Sequence, residues 1–260
     1  MKLGEKMQVL KANNITKIYK GVGKSDSTKA LNGISLEIER GEFTGIMGPS
    51  GSGKTTLLNV LSGIDRPSSG IVEISGEEIN SMSKNDLALF RRRRLGFVFQ
   101  EFNLLDSLTV KENIMLPMIL DNKYPDEIIN RTNSVMSLFN ITDIMEKYPY
   151  SISGGQQQRT AISRAIINNP DIIFADEPTG NLDSKSSSVV MGFFEKLNVE
   201  CDSTILMVTH DTYAASYCNR ILFIKDGEIN KEIIKEDTRK KFLDQILNYL
   251  SFSGGDNIEF

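Results

Sequence analysis

Gly48-Pro-Ser-Gly-Ser-Gly-Lys-Thr55 decides the fold. It fits the spacing G-x-x-x-x-G-K-[ST]. An apolar run, Phe43–Met47, precedes it, and helix-compatible residues follow from Lys54 to Ser62, so it reads as a strand–loop–helix junction. Glycines let the backbone close around a phosphate chain. The loop amides then point inward as an anion nest, and the helix N-terminus adds partial positive charge. Lys54 is placed to reach the outer phosphates and the Thr55 hydroxyl to ligate magnesium. Gly23-Lys24-Ser25 looks like the tail of the same motif, but position 18 is Ile rather than Gly and the stretch is a polar loop, so it is a chance match.

Two further constellations lie downstream. Ile172-Ile-Phe-Ala-Asp-Glu177 is an apolar run ending in two carboxylates. In a phosphate-loop protein such a strand lies beside the one feeding the loop. Asp176 is then expected to hold magnesium, directly or through water, and Glu177 to polarise an attacking water as general base. His210, the only histidine, follows the run Ile205-Leu-Met-Val-Thr209. Its place at the end of a third strand makes it a γ-phosphate contact rather than a plain loop residue.

The whole chain suits such a core. Its 260 residues are 40% apolar and 25% charged, with net charge −4, which excludes a wholly disordered chain and disfavours a strong nucleic-acid binder. The length suits one large core with a subdomain. Cys201 and Cys218 read as small semi-buried apolar residues in a reducing compartment. The opening MKLGEKMQVL has no long apolar region, and the longest apolar stretches, such as Ile114–Leu120 with Pro117 inside, fall short of a membrane span. Strands are predicted at 8–20, 33–46, 71–80, 95–99, 172–175, 204–208 and 221–224. Helices are predicted at 84–94, through most of 109–168 with breaks near 124–125 and 148–150, and at 238–252. Strands alternating with helices argue for a largely parallel sheet, with the helical stretch inserted in it. The last helix carries Phe242, Leu243, Ile246, Leu247 and Leu250 on one face, expected to pack on its own domain. Arg91–Arg94 reads first as a solvated helix face, then as a contact for a membrane partner or lipid headgroups. The ten methionines read as core filler.

Tyr148-Pro-Tyr-Ser-Ile-Ser-Gly-Gly-Gln-Gln-Gln-Arg159 makes the resemblance specific. Ser153-Gly-Gly-Gln156 resembles the L-S-G-G-Q signature of ATP-binding cassette (ABC) ATPases, with Ile152 in place of the leucine. Gln100, closing Phe97-Val-Phe-Gln100, is similar to the family's Q-loop. Asn181-Leu-Asp183, after Pro178-Thr-Gly180, is similar to its D-loop, and Tyr19 stands where the family stacks an aromatic on adenine. The match runs in order over about residues 8–227. The resemblance implies an α/β phosphate-loop NTPase with a parallel-sheet nucleotide core, an antiparallel β subdomain and an inserted α-helical subdomain. The implied division is 1–90 with 163–236 as core, 91–162 as helical subdomain, and 237–260 as C-terminal helix and tail. It implies ATP and Mg2+ as cofactors and hydrolysis of ATP to ADP and phosphate. ATP would be bound by Tyr19, Gly48, Pro49, Ser50, Gly51, Ser52, Gly53, Lys54, Thr55 and Thr56. Glu177, His210, Lys54 and Gln100 would be catalytic, and Thr55, Gln100 and Asp176 would hold the metal. Ser153, Gly154, Gly155 and Gln156 would reach the ATP of an opposite subunit, with Asp183 in the D-loop between. Ser253-Gly-Gly255 lacks the following Gln and reads as tail.

Several stretches resemble one exporter-like branch, with macrolide-efflux, lipoprotein-release and cell-division ATPases: Gly21–Lys29, Phe102-Asn-Leu-Leu-Asp106, Leu108-Thr-Val-Lys-Glu-Asn113 and Asp176-Glu-Pro-Thr-Gly-Asn-Leu-Asp183. Within it, Leu104-Leu-Asp-Ser-Leu108, Ala214-Ala-Ser-Tyr-Cys218, Ile221-Leu-Phe-Ile-Lys-Asp-Gly227 and the C-terminal helix with Gly254-Gly-Asp256 are most similar to bacitracin- and lantibiotic-resistance ATPases. That resemblance implies a second copy, a membrane permease with an extracellular domain, a histidine kinase reached through the permease, and a place at the cytoplasmic face of the membrane. A docking groove is expected near Gln100–Asn103, lined by Phe99, Phe102, Leu104 and Leu105. Two other readings stand beside this one. A soluble ABC ATPase on DNA or ribosomes is disfavoured, because only 52 residues separate Gln100 from Ser153 and they hold no sustained heptads; no nucleic-acid partner is expected. A regulatory module that binds ATP but hydrolyses little is disfavoured by the intact Lys54, Asp176, Glu177 and His210.

Overall fold

An apolar run without polar alternation must be buried on both faces, and five such runs lie side by side here. The computed structural model describes residues 7–20 and 27–253. In chain order the strands are β1 (Gln8–Tyr19), β2 (Thr28–Glu39), β3 (Phe43–Met47), β4 (Ser69–Ile74), β5 (Glu77–Glu78), β6 (Leu95–Phe99), β7 (Ile172–Asp176), β8 (Ile205–Val208), β9 (Arg220–Lys225) and β10 (Glu228–Ile234). The helices are α1 (Lys54–Leu61), α2 (Lys84–Arg94), α3 (Val110–Leu120), α4 (Pro125–Leu138), α5 (Gly154–Ile166), α6 (Ser184–Cys201), α7 (Thr212–Ala215) and α8 (Arg239–Ser253). The main sheet has the order β10-β9-β3-β8-β7-β6, parallel from β9 to β6, with β10 antiparallel at its edge. A second, antiparallel sheet has the order β2-β1-β4-β5.

Side chains alternate between two cores along each central strand, as the period of two requires. Ile173, Ala175, Ile205, Met207, Ile221 and Phe223 join the core built with α3, α4, α5, α6 and α8. Ile172, Phe174, Leu206, Val208, Leu222 and Ile224 join the core closed by α1 and the antiparallel sheet. The parallel sheet is thus covered on both sides, and only its strand ends are free to carry polar chemistry.

Differences from the sequence reading have local causes. The span 33–46 is the end of β2 and most of β3, which lie in different sheets; Gly41, with φ 72°, turns the chain between them. The stretch 109–168 divides into α3, α4 and α5. Pro125 starts α4, where its missing N–H costs nothing, and two 3-10 turns at Thr142–Ile144 and Pro149–Ser151 separate α4 from α5. β10 escaped notice because it is a largely exposed edge strand without apolar alternation. The arginine run is only partly a solvated face, and each side chain has a partner. Arg91 donates to the Gly63 carbonyl, Arg92 to that of Leu120, and Arg93 and Arg94 meet Asp121 and Asp171. Cys218 is buried against the backbone of Gly45, but Cys201, at the end of α6, is exposed rather than semi-buried. Gly23-Lys24-Ser25, most of Gly21–Lys29, and Gly254-Gly-Asp256 lie outside the described residues. Among the described residues no helix is long and apolar enough to cross a membrane.

α8 packs on its own domain. Phe242 and Ile246 are fully buried, Tyr249 meets Phe223 with ring centroids 4.3 Å apart, and Leu247 faces outward. Phe242→Ala is expected to lower stability by about 3–5 kcal/mol, and Leu247→Ala by less than about 0.5 kcal/mol. Urea unfolding of the two variants checks this; equal midpoints would contradict the packing.

Candidate active site

Four parallel strands deliver their ends to one edge of the sheet. Phe99 is in register with Asp176, and Val208 with both Asp176 and Ile46. The residues just beyond are therefore neighbours: Gly48 after β3, Gln100 after β6, Glu177 after β7, and Thr209 and His210 after β8.

The phosphate loop runs from Gly48 to Gly53. Its shape needs glycine at both ends. A Cβ on Gly48 would stand 2.2 Å from the Ile224 carbonyl oxygen. Gly53 has φ 100°, and a Cβ there would stand 2.5 Å from the Ala30 oxygen. Lys54 begins α1, and its Nζ donates to the Gly48 and Pro49 oxygens at 2.9 and 2.8 Å, so the ammonium is held inside the loop. Pro49, Ser50, Gly51 and Thr55 are exposed, Thr56 is partly so, and Ser52 is buried.

Asp176 and Glu177 differ in surroundings. Asp176 Oδ1 is buried with no hydrogen-bond partner. Burial, and then the neighbouring Glu177, push the Asp176 carboxyl above its ordinary range, while Lys54 pulls it back. A buried orphan carboxylate oxygen near an ammonium and a phosphate loop fits a magnesium ligand. Among the described residues no cluster of three or more His, Cys, Asp or Glu side chains is arranged for a metal. Mg2+ takes one or two carboxylates and completes its shell with phosphates and water. Glu177 has φ 46°, a left-handed conformation uncommon for a side chain this long. Its N–H donates to Val208 O at 2.9 Å and its carbonyl accepts from Gly180 N at 3.0 Å. The strained residue is thus fixed from both sides, and its carboxylate Oε2 meets His210 Nδ1. Glu177 is mostly covered, at 21% exposure, and His210 is open, at 69%. They border a cavity of about 530 Å3 shared with Thr179, Ser187 and Tyr213.

Gln100 does not stand free. Its Nε2 donates to Asn181 Oδ1 at 3.1 Å and its carbonyl accepts from Asn181 Nδ2 at 3.2 Å. Asp183 caps α6, accepting from the amides of Lys185 and Ser186 and from the Ser186 hydroxyl. Those hydrogen bonds hold its carboxyl below the usual range. Ser153 caps α5 through a reciprocal box: its Oγ accepts from Gln156 N, and Gln156 Oε1 accepts from Ser153 N. Gly154 lies against Leu182 and Phe102, and Gly155 against Ser186. The signature therefore packs on the D-loop, whereas the phosphate loop packs on Ala30, Leu31 and Ile224. The two halves of the expected ATP contact are not brought together within one chain.

Tyr19 is 42% exposed and is held by a network the sequence reading missed. Its hydroxyl donates to Asp65 Oδ2 at 3.0 Å. Lys17 pairs with Asp65 Oδ1 at 2.7 Å and lies 4.9 Å from the Tyr19 ring centroid. Burial alone would raise the Asp65 carboxyl, but Lys17, the Arg66 amide and Tyr19 together bring it below its ordinary value. Asp65 N in turn donates to Asn59 O, in α1. Gln158, also missed, is fully buried, and its Nε2 donates to Pro178 O at 2.5 Å and Phe99 O at 3.4 Å. It follows the signature by two residues, and only its polarity on an otherwise apolar helix face marked it.

A cavity lies beside the expected docking position, with a lining that differs from the expected one. A cavity of about 430 Å3 is lined by Phe97 and Phe99 of β6, by Leu116, Pro117 and Leu120 of α3, and by Arg91, Arg92 and Arg164. Phe99 is shared with the expectation. Phe102, Leu104 and Leu105 are not in the lining, because the chain after Gln100 folds away; Phe102 turns toward Gly154.

Comparison with known proteins agrees with this geometry. Residues 31–180 match the ABC transporter family model. An uncharacterized ABC transporter ATP-binding protein of Bacillus subtilis, YvcR, is 51% identical, with 98% of each chain covered. The bacitracin export ATP-binding protein BceA of Halalkalibacterium halodurans is 49% identical over 96% of this chain and 98% of its own. Among solved structures, the dimeric cassette MJ0796 of Methanocaldococcus jannaschii in a post-hydrolysis state, bound to ADP and Pi, superposes with TM-score 0.78. It is 42% identical, covering 86% of this chain and 98% of its own.

Base stacking on an aromatic contributes about 1–3 kcal/mol, so Tyr19→Ala is expected to weaken ATP binding by that amount and to spare turnover at saturation. Asp65→Ala, which releases the ring without removing it, is expected to weaken ATP binding by about 1 kcal/mol. Titration calorimetry with ATP and with tripolyphosphate checks both. The loss should appear for ATP alone, and equal losses for the two ligands would contradict a role at the base.

Proposed function

We propose, for a chain that belongs to the ABC transporter family and is one of its ATP-hydrolysing, nucleotide-binding subunits, a head-to-tail pair that drives a membrane permease. The observation that carries the chemistry is the contact between Glu177 Oε2 and His210 Nδ1 at adjoining strand ends beside the phosphate loop. Lys54 and the loop amides hold the phosphate chain. Glu177 accepts the proton of the attacking water. His210, held by Glu177, stands at the γ-phosphate side of the site. Thr55, Asp176 and Gln100 would hold Mg2+, which when bound neutralises charge on the phosphates. ADP and phosphate are the products.

The signature completes the site from a second copy. Ser153, Gly154 and Gly155 stand at the start of a 13-residue helix, where amides and the helix dipole favour an anion. They face the D-loop of their own chain, so the phosphate they grip belongs to the partner. The dimeric solved relative, holding ADP and Pi, supports this arrangement. The division into a core (1–90 and 163–236), a helical subdomain (91–162) and a C-terminal helix with tail (237–260) belongs to the same proposal.

The permease docks, in this reading, in the cavity lined by Phe97, Phe99 and α3. It bears an extracellular domain and signals to a histidine kinase, and the chain works at the cytoplasmic face of the membrane. The physiological role is resistance to, and sensing of, bacitracin- or lantibiotic-type peptides. Similarity to a bacitracin export protein along nearly the whole chain supports it.

Glu177→Gln is expected to cut turnover by about 10²–10⁴-fold and to leave an ATP-bound dimer, visible by size-exclusion chromatography with ATP but not with ADP. Near-normal turnover would remove Glu177 as base. Deleting the gene is expected to sensitise cells to bacitracin or a lantibiotic. Unchanged sensitivity with a defect in lipoprotein release would keep the ATPase and move the physiology.

A further inference from the structure

Three guanidiniums border the proposed docking cavity, and among the described residues none meets a carboxylate. Arg91 Nη1 donates to Gly63 O at 2.9 Å and Arg92 Nη1 to Leu120 O at 2.7 Å. Arg164 donates to Asn103 O at 2.6 Å and Phe102 O at 2.9 Å. Neutral carbonyls satisfy donors without cancelling charge. Arg93 and Arg94, also on α2, do meet carboxylates, Asp121 and Asp171. Balanced charge on that helix thus lies away from the cavity and unbalanced charge at its rim. Arg164 is the deepest of the three, and burial lowers its pKa; a guanidinium nevertheless stays protonated. Each side chain has five N–H donors and spends one or two here, so donors remain for an incoming anion.

Between these charges the lining is apolar: Phe97, Phe99, Leu116, Pro117 and Leu120. At about 430 Å3 the cavity admits a few side chains, not a whole helix.

We propose that the segment docking here is a short protein stretch presenting one or two large apolar side chains together with a carboxylate that pairs with Arg91 and Arg92. This rests on the permease reading above and names the chemistry of the partner at that site. An apolar side chain fills the floor, and the carboxylate supplies the missing counter-charge, with bidentate geometry available at each guanidinium. The floor strand, β6, continues directly into Gln100, and Arg164 holds the backbone of Phe102 and Asn103, both in left-handed conformations with φ 59° and 48°. An occupant fixed in a partner protein can push on this path to the nucleotide; a freely diffusing anionic lipid cannot. Geometry therefore favours a protein segment over a lipid headgroup.

The test uses the full chain in native membranes. Benzoylphenylalanine at position 116 is cross-linked by light and the attached peptide identified by mass. The expected product is a segment of an integral-membrane protein with Asp or Glu within a few residues of the cross-link. The double variant Arg91→Glu with Arg92→Glu is expected to lose at least about tenfold in co-purification of that protein. Reversing the partner's carboxylate to Lys should restore it, and Arg91→Lys with Arg92→Lys should largely retain it. ATP affinity and thermal melting establish that the variants are folded. A cross-linked membrane-protein segment without a carboxylate, or a charge reversal that fails to restore capture, overturns this inference and leaves the permease reading standing. Cross-linking to lipid, together with sedimentation on phosphatidylglycerol vesicles that depends on Arg91 and Arg92, overturns it in favour of a headgroup. Cross-links to no membrane component remove both the inference and the docking reading.

Discussion

A strand buried on both faces cannot carry charge along its length, so its chemistry has to sit at its ends. Parallel pairing then decides which ends meet. β6, β7, β8 and β3 run the same way and neighbour one another, which brings Gln100, Glu177, His210 and the phosphate loop to one edge. The backbone beyond the strands continues the ladder: Glu177 N reaches Val208 O and Thr209 N reaches Ile46 O. Glu177 is therefore aimed by main-chain bonds that side-chain substitution leaves in place.

The second dependence runs across the edge rather than along it. Gln158 ties the signature helix to the exits of β6 and β7 through two backbone carbonyls. Gln100 and Asn181 clasp each other across the next residues. A movement of the helices in the middle of the chain is thus felt at the nucleotide edge through a few hydrogen bonds. The same packing sets Gly154 and Gly155 against their own D-loop, as the proposed pairing of two copies requires.

How much of this was legible follows from the same physics. β6 and α2 were read to the residue, and β7, β8 and β9 to within about a residue, because buried parallel strands are short unbroken apolar runs that end in polar or glycine residues. The phosphate-loop, carboxylate and signature stretches stood out in the sequence because their expected chemistry demands particular residues at fixed spacing, and the strand order brings the first two to one edge. Apart from α6, which was not read despite its Asp183 cap and its apolar face of Val190, Met191, Phe194 and Leu197, what was lost had no local signature. β10 is an exposed edge strand. The joining of 33–46 hid a turn around Gly41, because burial on either side made the two strands look continuous. The arginine run looked like any solvated charge cluster, since its partners, Gly63, Leu120, Asp121 and Asp171, are distant in sequence. Lys17 and Asp65, 48 residues apart, illustrate the same limit at the nucleotide site.

The central claim is that the catalytic unit is two half-sites shared between copies. Its most direct test is a structure of the hydrolysis-impaired chain with ATP and Mg2+, in which one distance is measured: Ser153 Oγ of one copy to the γ-phosphate held at Lys54 of the other. The account predicts a hydrogen bond, roughly 2.5–3.0 Å. ATP gripped by a single chain, with both Ser153 hydroxyls in solvent, would contradict it.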